Sequence, residues 1–131
     1  LNYIKTSEED EENFTRFVDL MRLCYAKKVP EILSWVDDMS SLGRERQKMF
    51  IHYATRMVRE NFILNLEIEK ITYLTESEKE FSSKFSQFIN SKNAKNIYLE
   101  LNHAYRDIQM NAHGKTVLLD LSVKLMKLLR L

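Results

Sequence analysis

At 131 residues the chain is one domain's worth, long enough to enclose a single core without disulfide or metal support. Two glycines and one proline leave too few turn residues for an architecture of many short strands, and 44% hydrophobic with 30% charged residues favours an all-α fold. The expected form is one compact bundle of about five to six helices over residues 1–131, and a formal net charge of +1 gives no general pull toward nucleic acid or an anionic membrane.

The opening residues LNYIK lack an initiator methionine, which suits a fragment of something longer. From Ser7 to Lys28 the pattern predicts a first helix, with acids crowding its positive end and Lys27 and Lys28 at its negative end. Phe14, Phe17, Val18, Met21 and Tyr25 recur at helical spacing and are expected to face the core. Val29 and Pro30 break that pattern and open a short helix, EILSWVDDMSS, with an apolar side of Ile32, Leu33, Trp35, Val36 and Met39. Leu42 and Gly43 supply its stop. A long helix from Arg44 to Asn65 follows, its stripe traced by Phe50, Tyr53, Ala54, Met57, Val58 and Leu64.

EIEKITYL, residues 67–74, reads as a loop or a fraying helix end. Thr75 and Glu78 then have the spacing of a capping box, opening the helix ESEKEFSSKFSQFIN with Phe81, Phe85, Phe88 and Ile89 turned inward. SKNAKN is a polar connector. A fifth helix begins near Ala94 and carries Ile97, Leu101, Ala104, Tyr105 and Ile108 to a corner at NAHG.

The closing helix differs from the others. Val117, Leu118, Leu121, Leu125, Leu128 and Leu129 share one side, while Leu119, Val123 and Met126 carry apolar surface well round to another. Asp120, Lys124 and Lys127 form its only clear wet strip. One neighbouring layer cannot cover so wide an arc, so this helix is either central to the bundle or meets another chain.

Motifs of catalysis and ligand binding are weak throughout. GKT at 114–116 resembles the end of a phosphate loop, but Gln109 stands where that loop needs its first glycine, and no strand leads into it. His52 has no metal-ligating neighbour one turn away, His103 with Asp107 makes at most two ligands, and His113 lies in a corner. Cys24 is the sole cysteine, which excludes an internal disulfide or cysteine zinc site and suits a reduced intracellular setting. Its apolar surroundings oppose thiolate formation. Adjacent Asp37 and Asp38 point about 100° apart on a helix and make no carboxylate pair. GRERQK could open a DNA-reading helix, yet that helix is striped with core residues along its length, so a solvated first turn explains it better. No stretch approaches a membrane span or a basic-then-apolar leader.

The stretches YAKKVPEILSWVDDMSSLGRERQKMFIHYATRMVREN and NAHGKTVLLDLSVKLMKLLR resemble the C-terminal collar domain of the delta-prime subunit of the bacterial DNA polymerase III clamp loader, in its Bacteroidota form. The likeness rests on the Trp35 helix, GRERQKMF at 43–50, YATRMVRE at 53–60 and the asparagine-alanine corner before a leucine-rich helix, together about two thirds of the chain. It implies a cytoplasmic, noncatalytic oligomerisation domain, the end of a longer AAA+-type protein, packing beside the collar domains of other loader subunits in the machine that places the sliding clamp on primed DNA. ATP and zinc would belong to upstream modules, so no cofactor, metal, membrane or direct nucleic-acid contact is expected of these residues. Gly114 departs from relatives that often have proline in this corner. With the wide arc of the last helix, the resemblance makes Leu119, Val123, Met126, Lys127 and Arg130 the expected subunit interface, with Leu118, Leu121, Leu125 and Leu128 inward. The competing expectation is a free-standing helical adaptor or regulator that holds a peptide or protein in a groove.

Overall fold

The computed structural model describes the backbone of residues 3–66 and 74–131, and side chains from residue 9 onward within those spans. Most of the 67–74 segment therefore lies outside the described residues. Six α-helices occur among them: α1 (Tyr3–Ala26), α2 (Val29–Ser40), α3 (Arg44–Asn65), α4 (Glu76–Phe85), α5 (Ala94–Gln109) and α6 (Gly114–Leu128). No strand occurs among the described residues, and none of the described helices is long and apolar enough to cross a membrane.

Helix ends follow local chemistry. α1 and α5 both close with a residue in the left-handed region, Lys27 at φ 56° and Asn111 at φ 68°. In each case the next amide reaches back five residues, Lys28 to the Leu23 carbonyl and Ala112 to the Asp107 carbonyl, which satisfies carbonyls that the helix leaves open. Gly43, at φ 90°, turns the chain into α3 in a conformation that a side chain would strain. The capping box at Thr75 and Glu78 forms as the spacing predicts.

Several expectations shift. α1 is helical from Tyr3 rather than Ser7, and α4 tightens into a 3-10 turn at Ser86–Phe88 instead of running to Asn90. The connector after it is not merely polar linker. Asn93 is fully buried, its amide donating to the carbonyls of Phe88 and Leu128 while its Oδ1 accepts from the Asn90 amide. It thus ties the start of α5 to the end of α6.

The core joins Phe17, Leu20 and Met21 of α1, Ile32 and Met39 of α2, Phe50, Ile51 and Met57 of α3, and Ile97, Leu101 and Ile108 of α5. Two residues expected in it are not. Tyr25 is 40% exposed, because it sits at the last turn of α1, where its ring lies tilted against that of Phe88 at 4.8 Å. Leu33 is 41% exposed, because Ile32, Trp35, Val36 and Met39 already fill the inward side of α2. Trp35 anchors α2 by donating from its indole to the Arg16 carbonyl of α1.

A buried polar junction docks α4 on α3. Glu78 Oε1 accepts from the Thr75 amide at 2.9 Å; Oε2 accepts from the Tyr53 hydroxyl at 2.5 Å and from Arg56 at 3.2 Å. Burial and this hydrogen bond raise the Tyr53 pKa, and partial burial raises that of nearby Asp10 against the opposing pull of Arg56. A second junction is Gln47, whose amide donates to the Met39 and Ser40 carbonyls at the end of α2. A Cβ on Gly114 would come within 2.5 Å of Gln47 Oε1, so the first residue of α6 packs tightly against this side chain.

Candidate subunit interface

α6 packs against α1, α2 and α5 of the same chain. This explains most of its wide apolar arc: Leu118, Leu121, Leu125 and Leu129 are buried, and Val117 and Leu128 are half-buried at the edge of the core. Of the two readings left open by the sequence, the central position accounts for the larger part of the arc. Cys24 of α1 lies against this sealed side, its thiol donating to the Ser122 carbonyl at 3.6 Å, and burial pushes its pKa up to about 12.

The flanks of α6 are pinned by ion pairs. Lys124 bridges Glu100 of α5 at 3.2 Å and Asp120 at 2.9 Å; the bonds to Asp120 and Glu100 hold its pKa up. On the other flank Lys115 meets Asp37 near the end of α2 at 2.8 Å. α2 and α6 run antiparallel, since the N-terminus of α2 follows the end of α1, where Cys24 meets Ser122.

That single ion pair sets a register. Both helices rise about 1.5 Å per residue, so one turn from Asp37 and Lys115 Leu33 comes level with Leu119, and two turns away Val29 comes level with Val123. Val29 is 48% exposed, Leu33 41% and Val123 41%; Leu119 and Met126 are half-buried and packed on the core. The result is an apolar strip along the α2–α6 seam. Lys127 and Arg130 are exposed at its end, and Arg130 is engaged by its own chain, donating to the Tyr25 carbonyl with its guanidinium 4.6 Å above the Tyr25 ring.

Of the five residues singled out from the sequence, Leu119, Val123, Met126 and Lys127 lie on α6 and Arg130 just past its end; Val123 is the most open of the three apolar positions, and both basic positions are exposed. Val29 and Leu33 were not anticipated. The available signal was that Leu33 lies at the margin of the α2 arc, some 60–100° from Val36 and Ile32.

Residues considered for chemistry stay apart. His52 is exposed on α3, and His113, exposed at the start of α6, places Nδ1 3.2 Å from the Thr116 hydroxyl. His103 and Asp107 line a small polar cleft between α5 and α6 together with Lys124, which is paired to Glu100 and Asp120. No group of three potential ligands capable of holding a metal occurs among the described residues. The GRERQK turn places Arg46 against Glu12 and Lys48 against Glu45, and its Gln47 is buried.

A second surface feature was missed in the sequence. Between α1 and α4 lies a groove of about 740 Å³, lined by Phe14, Phe81, Phe85, Phe88 and Tyr25 and edged by Asp19, Arg22, Glu80 and Lys84. Its rings meet edge to face at 6.0 Å between Phe14 and Phe81, and stack at 4.9 Å between Phe81 and Phe85. Comparison with protein-family models, with curated proteins and with solved structures finds no match to this chain.

Proposed function

We propose that this chain is a noncatalytic assembly domain of a clamp-loader subunit, packing against the collar domains of neighbouring subunits in the complex that loads the sliding clamp onto primed DNA in the cytoplasm. The observation that carries the reading is the half-open apolar strip of Val29, Leu33, Leu119, Val123 and Met126, which gathers aliphatic side chains of two helices on one seam, whereas Met110, Tyr98 and Leu66 are exposed elsewhere. Aliphatic side chains left open along a seam of two rigid helices suit a protein interface with an apolar centre and a charged rim. The resemblance in the Trp35 helix, the YATRMVRE stretch and the leucine-rich closing helix supplies the identity of the partners. On this reading ATP hydrolysis and zinc binding reside elsewhere in the parent protein, and the Tyr53–Glu78–Arg56 cluster anchors α4.

Mixing the chain with the collar domains of the other loader subunits and measuring mass by sedimentation tests the proposal. A complex of defined stoichiometry is expected; components that sediment separately at tens of micromolar would overturn it. The aromatic groove between α1 and α4 favours a second reading, an adaptor that receives a peptide. Under that reading a substitution such as Phe88→Ala impairs partner binding and Val123→Asp does not.

A further inference from the structure

The α2–α6 strip is electrically lopsided. At one end Asp37 and Lys115 neutralise each other. At the other lie four exposed cations, Lys27 and Lys28 from the α1–α2 corner and Lys127 and Arg130 from the end of α6. None of the four is in an ion pair with a carboxylate among the described residues. Glu31, the one acid in the first turn of α2, lies about 160° round that helix from Leu33 and so faces away from the strip. Helix C-termini at this end favour cations to a degree. Lys27 closes α1 at a left-handed φ of 56°, as Asn111 closes α5 at 68°.

From this complementarity we infer that the strip receives an amphipathic helix of another protein, one whose aliphatic stripe begins in a cluster of Asp and Glu. The inference rests on the interface reading above and adds the chemistry and direction of the partner. Acids are most stable in the first turn of their own helix, so the partner's N-terminus lies over Lys27, Lys28 and Lys127, and its axis runs parallel to α2 and antiparallel to α6. Its apolar residues fall at i, i+3 or i+4 and i+7 against Val29, Leu33, Leu119 and Val123.

Two labelled sixteen-residue helical peptides of equal composition test this by fluorescence anisotropy. Both carry leucines at helical spacing; one has three glutamates in its first turn, the other in its last. The first should bind the chain about tenfold more tightly, with the difference shrinking as salt rises. Lys28→Glu combined with Lys127→Glu should abolish the preference, and Lys27→Gly should weaken binding severalfold while raising the melting temperature, which separates charge from folding. Equal affinity of the two peptides, or stronger binding to anionic vesicles than to either peptide, would overturn the inference. So would self-association of the chain through the same strip. Assembly with loader collar domains that is lost in Val123→Asp but untouched by the lysine substitutions would leave the interface reading standing and remove only this one.

Discussion

On α6, Leu118, Leu121, Leu125 and Leu129 are buried where the helix meets α1, α2 and α5, while one or two positions away Val123 is exposed and Leu119 and Met126 are half-buried at the edge of the core. The residue types are alike and their circumstances differ. The difference comes from neighbours: three elements seal one side, and on the other the antiparallel α2 adds Val29 and Leu33 to the open surface instead of covering it. Burial decides what each side chain contributes. Those on the sealed side stabilise the fold, and those on the seam remain free to stabilise a complex.

The largest effect expected is on the sealed side. Leu125→Ala removes a fully buried side chain and should cost about 2–5 kcal/mol in chemical denaturation, enough to threaten folding of a domain this size. Retention of full stability would mean that α6 is not packed as described. Next comes the α3–α4 junction, where Glu78→Ala strips the Tyr53 hydroxyl and Arg56 of their shared acceptor and removes one half of the capping box. A loss of about 2 kcal/mol is expected, tempered by the partial exposure of Arg56, with Glu78→Gln costing less.

A pH titration probes the sealed side without changing its shape. The Cys24 thiol ionises near 9 when unfolded and near 12 when folded. The unfolded chain therefore loses this proton first as pH rises. Below pH 9 both states hold it and the group is neutral to stability; between 9 and 12 its share of stability falls by up to about 1.4 kcal/mol per pH unit. Cys24→Ala should remove that share of the alkaline slope, and an unchanged slope would show that solvent reaches the thiol.

Much of this fold was legible because periodicity and end signals agree: Pro30 in the first turn of α2, Gly43 before α3 and the Thr75–Glu78 box each mark an element that forms, whereas the acids from Glu8 misplaced the start of α1, whose first turn at Tyr3 holds none. Helical spacing also places Leu119, Val123 and Met126 on one side of α6, which is as far as the sequence reaches toward the proposed interface. Leu33 and Tyr25 were misassigned because spacing gives the direction of a side chain, not whether a neighbour occupies that direction. The central place of α6, the α1–α4 groove and the buried roles of Asn93 and Gln47 all depend on contacts between segments far apart in the chain. No local pattern encodes these.

The smallest effect on folding and the largest on assembly should come from the same substitution. Val123→Asp puts a carboxylate on the open seam, where it should change unfolding free energy by no more than about 0.5 kcal/mol. The decisive measurement is the mass of the complex that this variant forms with the collar domains of the proposed clamp-loader partners, taken beside its denaturation curve. The account predicts loss of the complex with stability unchanged; an intact complex of the original mass would contradict it.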